Sequence, residues 1–105
     1  VPIPALKPLG AFHGAEIFYA FGNIGKSKHY TEIDYTLSET MMSYWSNFAK
    51  TGDPNGKGLP YWPAYTQEKD QHMELGDEIK PGVNLYREEC DLIEKMMANS
   101  LKSVN

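Results

Sequence analysis

The chain has 105 residues, the size of one small domain, and its apolar share of 41% is modest for an independent core. Its 14 acidic and 10 basic residues are interspersed and give a net charge of −4, so the basic surface of a nucleic-acid-binding protein is missing. No apolar run approaches the ~20 residues of a membrane-spanning helix. Composition therefore predicts neither a nucleic-acid partner nor a membrane span.

The first part of the sequence predicts a connector, a loop and a short helix. Prolines at positions 2, 4 and 8 favour an extended connector over residues 1–9, because proline fixes φ and lacks an N–H donor. Residues 10–14 form a loop of mostly small residues around His13. Ala15 to Phe21 then indicates a helix that is apolar around nearly its whole circumference, which requires burial on most sides.

A second helix is predicted to begin near Leu37. Thr36 and Glu39 match a capping box, in which each side chain satisfies a backbone N–H of the first helical turn. Gly52 is expected to end this helix. Apolar residues at helical spacing mark its buried face: Leu37, Met41, Tyr44, Trp45 and Phe48.

The C-terminal part predicts a small β structure and a last helix. Met73–Leu75 and Glu78–Lys80 have the character of short strands. The last helix is expected from about Leu85 to Leu101, with Asn84 as its cap. We interpret the apolar stripes of these helices, and Trp62, as packing surfaces. The stripes exceed what so short a chain can cover, so their partner surface is expected elsewhere.

Few residues in the sequence qualify for chemistry. It contains no phosphate-binding loop, no zinc motif, no paired cysteines and no G-x-S-x-G, and its histidines lack metal-ligand spacing. We therefore expect no metal and no cofactor, and no complete catalytic triad within the chain. His29 and His72 are expected at the surface. Acidic neighbours make a reactive thiolate at Cys90 improbable.

His13 and Glu16 are the two candidates for chemistry. Small neighbours leave the His13 ring approachable, and its place just before a helix suits a neutral imidazole that accepts a proton. Local features also allow a histidine that only hydrogen-bonds its own loop. Glu16 is either a buried group supporting His13 or a solvent-facing side chain, and the residues alone leave both alternatives open.

Two sequence blocks resemble those of type-B carboxylesterases and cholinesterases. Residues 13–22 read H-G-A-E-I-F-Y-A-F-G, and residues 48–55 read F-A-K-T-G-D-P-N. The resemblance covers about residues 9–101 and implies the C-terminal part of a single α/β-hydrolase domain, which in this piece is mostly helices with short strands. Its parts would be the connector 1–9, the histidine loop 10–14 and the helical flank 15–105.

The resemblance implies carboxylic ester hydrolysis by a Ser-Glu/Asp-His triad in which His13 is the general acid/base. It further implies that Glu16 supports His13 and that Leu9 and Ala15 line the pocket. The small Ala15 favours a general carboxylesterase over a choline-ester enzyme. A cysteine at the place of Cys90 forms a disulfide bridge in many relatives.

The implied partners are a small-molecule ester and the missing N-terminal part of the same protein, which would bring the serine and the acid. The 105-residue chain alone is therefore expected to be inactive. A secreted or periplasmic location is favoured over a cytoplasmic one. One alternative is a non-catalytic cholinesterase-like adhesion or scaffold domain, which would lack the serine of an upstream G-x-S-x-G. Another is a free-standing helical module.

Overall fold

A computed structural model of the protein describes residues 1–103. Along these residues the chain forms a short 3-10 helix (Lys7–Leu9), helices α1 (Ala15–Ala20), α2 (Glu32–Thr51) and α3 (Arg87–Lys102), and strands β1 (Gln71–Leu75) and β2 (Ile79–Val83) between α2 and α3. The two strands pair antiparallel, with Leu75 opposite Ile79. None of the helices in this part of the chain has the length and apolarity needed to cross a membrane.

The small core lies between α1 and α2. Its buried residues are Tyr19 of α1, Ile24 of the joining loop and Met41 of α2. Farther along α2, Tyr44 is completely buried, and its hydroxyl donates a hydrogen bond to the Pro60 carbonyl. This bond ties the segment after α2 back onto the helix.

Three of the aromatic residues predicted to pack, Tyr44, Trp45 and Trp62, meet at one place, whereas Phe48 of the predicted buried face of α2 is 60% exposed. The Trp62 ring meets the Tyr44 ring edge-on at a centroid distance of 5.1 Å, and it lies 6.3 Å from the ring of Trp45. Asn55 holds this segment in position, because it accepts the Trp62 N–H at 2.7 Å and donates to the Trp62 carbonyl at 2.9 Å. The packing interpretation of Trp62 is confirmed.

Two hydrogen bonds attach α1 to α2, and both involve Tyr19. Its hydroxyl donates to Asp34 Oδ1 at 2.8 Å, and its carbonyl accepts the Ser38 hydroxyl at 2.7 Å. We call Tyr19, Asp34 and Ser38 the Tyr19 clamp. Burial, followed by the hydrogen bond to Asp34 and its negative charge, raises the pKa of the Tyr19 phenol well above its ordinary value.

The start of α2 was predicted wrongly. The helix begins at Glu32 because Thr31 and Asp34 form the capping box, with the Thr31 N–H donating to Asp34 Oδ2 at 2.8 Å. The second pair of that pattern, Thr36 and Glu39, lies inside the helix. The predicted end at Gly52 is confirmed, and this glycine has a φ of 80°.

The N-terminal stretch and α1 also differ from the prediction. Residues 1–9 are not all extended, because Lys7–Leu9 form a 3-10 helix. Pro8 fits there, since proline has a helical φ and its missing N–H is not needed in a first turn. Helix α1 ends at Ala20, and Phe21 is its C-cap residue.

The C-terminal elements are shifted by a few residues. Asn84 and Tyr86 adopt left-handed φ values of 59° and 52°, so α3 starts at Arg87 instead of Leu85. Asn84 is not the N-cap; its side-chain oxygen accepts a hydrogen bond from the Arg87 guanidinium at 3.0 Å. Both strands are longer than predicted, and β2 includes Pro81, which a sheet edge tolerates.

A large apolar surface is left uncovered in the described chain. Helix α3 has no buried residue, and Ile17 and Phe18 of α1 are 52% and 54% exposed. The accessible surface is 8,384 Å², against ~5,950 Å² for a compact monomer of this size. The radius of gyration is 17.7 Å, against ~13 Å for such a monomer. Within these residues α1 is buried only on the side of Ala15 and Tyr19, and the predicted burial of its other side and of α3 does not occur.

We predict that residues 1–105 expressed alone neither fold cooperatively nor hydrolyse an ester. The excess exposed surface of about 2,400 Å² leaves apolar side chains in water, so the isolated chain is expected to aggregate or to form a molten state. Binding of the dye ANS, a thermal scan and turnover of p-nitrophenyl butyrate measure this. A monomeric chain with one cooperative transition would contradict it.

A second prediction concerns Tyr19→Phe in the complete protein at different pH values. At neutral pH the substitution should lower the free energy of unfolding by about 1–3 kcal/mol, because a hydrogen bond to a charged acceptor is lost. The raised pKa of Tyr19 means that the folded state holds this proton more tightly than the unfolded state does. The stabilisation is therefore full below pH ~10 and declines as the pH rises above it.

Urea unfolding of both proteins between pH 7 and pH 11 measures this effect. The difference in unfolding free energy between wild type and Tyr19→Phe should shrink above pH ~10. Tyr35→Phe, which removes an exposed hydroxyl bound to the Gly25 carbonyl at 2.9 Å, is the control and should change little. A difference that stays constant across the range would show that the Tyr19 proton is not linked to folding.

Candidate functional site

The His13 loop lies between two glycines in left-handed conformations. Gly10 has a φ of 59° and Gly14 a φ of 83°, values that other residues adopt only with strain. The Ala15 N–H closes the loop by donating to the Phe12 carbonyl at 3.1 Å. His13 is exposed, and its side chain makes no hydrogen bond to any other described residue. The imidazole is therefore available to a partner from outside these residues.

A groove of about 620 Å³ lies beside this loop, between the N-terminal segment, α1, α2 and the turn of the hairpin. Ala15 and Glu16 both line it, together with Tyr19 and Asp34 of the clamp. Ala15 is 9% exposed, whereas Glu16 is exposed and makes no ion pair with another described residue. Two of the four residues singled out from the sequence, Ala15 and Glu16, thus line the same groove.

The other two sequence candidates do not line this groove. Leu9 is 57% exposed at the end of the 3-10 helix, and His13 precedes the groove-lining part of α1. The groove is acidic, because Glu16, Asp34 and Asp77 line it with one lysine, Lys7. Asp34 already accepts hydrogen bonds from Tyr19 and Thr31, so a segment that packs into the groove needs N–H donors or cationic side chains for Glu16 and Asp77.

Among the described residues, three serine hydroxyls form hydrogen bonds to backbone groups: those of Ser27, Ser38 and Ser103. Ser38 is 3% exposed and donates to the Tyr19 carbonyl. The Ser103 hydroxyl donates to a backbone carbonyl in its own turn, and Ser27 accepts the backbone N–H of His29. None of these three hydroxyls has a hydrogen bond to His13.

The prediction that His72 lies at the surface was wrong. It is partly buried in β1, and its ring covers Gly82 of β2 so closely that a Cβ there would lie 2.6 Å from Cε1. Its buried Nδ1 atom has no hydrogen-bond partner among the described residues. His29 is also partly buried. Neither imidazole has the open setting of His13.

Cys90 is a free, exposed cysteine of α3 in the structure. A bridge from it to a cysteine outside this chain stays a prediction. Within the described residues, no group of three or more histidine, cysteine, aspartate or glutamate side chains is arranged to hold a metal ion.

Sequence reasoning missed the Tyr19 clamp. Tyr19 was counted only as an apolar residue of α1, although a phenol in a buried helix needs an acceptor for its hydroxyl. The signal for its partner was the string T-E-I-D at residues 31–34, which is a capping pattern of the same kind as Thr36 to Glu39.

Comparison with known proteins gives consistent matches. A sequence model described as the carboxylesterase family matches residues 2–93. Carboxylesterase 5A of Canis lupus familiaris is 45% identical over 87 residues, covering 77% of this chain and 15% of that protein. Carboxylesterase 4A of Bos taurus is 39% identical over 90 residues, covering 86% of this chain and 16% of that protein.

The solved structures give the same result for the fold. A structure of a pNB esterase superposes with a TM-score of 0.66 at 33% sequence identity, and covers 77% of this chain and 18% of its own. A thermophilic pNB esterase superposes equally well, with a TM-score of 0.66 and 34% identity. The chain thus spans less than a fifth of the proteins it matches. It belongs to the carboxylesterase family, and it is a C-terminal portion of an α/β-hydrolase fold.

Proposed function

We propose that the complete protein hydrolyses carboxylic esters and that His13 is the general acid/base of its Ser-Glu/Asp-His triad. The observation that supports this most directly is the exposed His13 imidazole, which has no hydrogen bond to the described residues although α1 behind it is firmly attached to α2. Membership of the carboxylesterase family supports the reaction type.

The proposed mechanism moves one proton back and forth. One ring nitrogen of His13 takes the proton from the serine hydroxyl as its oxygen attacks the ester carbonyl. The same nitrogen then gives the proton to the leaving alcohol, and an acyl-serine remains. Water then attacks the carbonyl of the acyl-serine while His13 takes a proton from it. His13 gives this proton to the serine oxygen, and the carboxylic acid is released. A carboxylate bound to the other ring nitrogen keeps the imidazole oriented.

The serine and the carboxylate belong, in this proposal, to the part of the protein that precedes this chain. The engaged hydroxyls of Ser27, Ser38 and Ser103 are consistent with a nucleophile from outside the described residues. The chain would be a C-terminal part of a single hydrolase domain, with residues 1–9, 10–14 and 15–105 as its connector, histidine loop and helical flank.

Glu16, Ala15 and Leu9 are assigned supporting roles in this proposal. Glu16 lines the groove beside the loop, where backbone N–H groups of the remaining protein could bind its carboxylate and fix the start of α1. Ala15 adds little bulk, which suits a general carboxylesterase. Leu9 would line the acyl or alcohol pocket from the 3-10 helix.

The third prediction is that His13→Ala in the complete protein lowers kcat for p-nitrophenyl butyrate by at least ~10³-fold, because the members of a triad act as a unit. KM should change little, since the imidazole acts on the proton and not on substrate binding. His29→Ala, a histidine of the α1–α2 loop, is the matched control and should keep kcat within twofold of wild type.

Near-normal turnover by His13→Ala would refute the assignment. An intact protein without measurable esterase activity, and without a serine in the G-x-S-x-G position, would instead identify the adhesion or scaffold class. The two results are distinct, because the first needs an active wild-type enzyme and the second finds none.

The fourth prediction concerns Glu16→Gln, which removes a charge but keeps the size of the side chain. Hydrogen bonds to charged groups contribute about 1.5–3 kcal/mol, so kcat should fall about 10–100-fold if these bonds hold the loop in its active geometry. Glu39→Gln, an exposed glutamate within α2, is the control. Equal kcat values for the two variants would show that Glu16 does not support His13.

A further inference from the structure

Helix α1 needs outside support to keep its place. It has only six residues and no side-chain cap at its N-cap residue, Gly14. Isolated helices shorter than ~12 residues are marginal in water, so contacts to the rest of the protein must hold α1. Whatever orients α1 also orients His13, because His13 precedes its N-cap directly.

The Tyr19 clamp fixes α1 at two points on one face of α2. Asp34 and Ser38 are four residues apart and so lie one above the other on that face. The Tyr19 hydroxyl reaches the first, and the Tyr19 carbonyl accepts from the second. Asp34 cannot turn away easily, because its other oxygen accepts the Thr31 N–H at 2.8 Å. The clamp therefore opposes both tilting and rotation of α1.

Small movements of α1 are enough to matter for catalysis. A helix of six residues is about 9 Å long, so a tilt of about 6° about the Tyr19 end moves its other end by about 1 Å. A misplacement of 1 Å in a catalytic group can lower the rate by ~10²-fold. The hydrogen bonds at Tyr19 thus act on the far end of the helix, where His13 lies.

We infer that Tyr19 is a positioning residue for His13, acting through its hydrogen bonds to Asp34 and Ser38. The inference rests on the proposed role of His13 as the proton shuttle. Tyr19 touches neither substrate nor reacting atoms in this account. It restricts α1 to the orientation in which the imidazole meets the serine hydroxyl.

The test is Tyr19→Phe in the complete protein, compared with Tyr44→Phe. Both substitutions remove one hydroxyl from a buried tyrosine and break one hydrogen bond, but Tyr44 is tied to Pro60 and not to α1. Active sites are counted by fluorophosphonate labelling to completion, so that kcat is expressed per intact site. Loss of folded protein then lowers the number of sites and not the kcat of each.

We expect Tyr19→Phe to lower kcat per site about tenfold with KM within twofold of wild type, a change within the range for misplaced catalytic groups. Tyr44→Phe should keep both constants within twofold. A kcat per site for Tyr19→Phe within twofold of wild type, or an equal loss in Tyr44→Phe, would overturn the inference.

Ser38→Ala provides a second measurement if Tyr19→Phe yields no folded protein. It removes the other bond of the clamp and leaves the Tyr19 carbonyl its bond from the Gly22 N–H at 3.2 Å. The kcat per site should again fall severalfold, and an unchanged value would overturn the inference. His13→Ala separates the two proposals: if it abolishes turnover while the clamp variants do not lower kcat, only the positioning role is wrong.

Discussion

The hydrogen bond between Tyr19 and Asp34 joins three features that would otherwise be independent: the short helix behind the histidine loop, the start of α2 and the small core. Asp34 uses one oxygen to cap α2 and the other to accept the phenol. A carboxylate that is already fixed by a helix terminus is a better anchor than a free surface acid, because little side-chain entropy is lost when the second bond forms.

This arrangement explains how a six-residue helix can hold the His13 loop in a fixed place. The left-handed Gly14 reverses the chain just before α1, so the loop of His13 takes its direction from the helix. The side chain of Tyr19 is also packed edge-on against Tyr30 at 6.4 Å, which keeps the phenol out of water. Exclusion of water strengthens the bond to Asp34, since a low local dielectric favours such contacts.

The sequence predicted the elements better than their ends. Helix α2 was expected because its apolar residues recur with helical period, and Tyr44 and Met41 are indeed buried. Its start was misplaced by five residues because two capping patterns follow one another, at residues 31–34 and 36–39, and the helix uses the first, whose Asp34 also binds Tyr19. The late start of α3 depends on left-handed residues other than glycine, a conformation that residue type alone does not reveal.

The sequence likewise predicted one part of the candidate site and missed another. The setting of His13 was visible locally, because glycines and small residues around an imidazole are a property of adjacent positions. The Tyr19 clamp was not visible in the sequence, because Asp34 and Ser38 follow Tyr19 by 15 and by 19 positions. No periodicity connects a phenol with a capping carboxylate over such a separation. The partly buried setting of His72 was missed for the same reason, since it depends on Gly82 in the partner strand.

The uncovered apolar surface and the exposed His13 imidazole are both features expected of a chain that forms one part of a larger core. Each partner in a typical protein–protein complex buries ~800 Å², whereas this chain exposes about 2,400 Å² more than a compact monomer of its size. An excess of that extent lies in the range of permanent interfaces, which resemble a domain core cut in half, and not of transient docking sites. The residues that cover α3 are therefore best sought in the remainder of the α/β-hydrolase fold of which this chain is a C-terminal portion, and a free-standing helical module does not fit these areas.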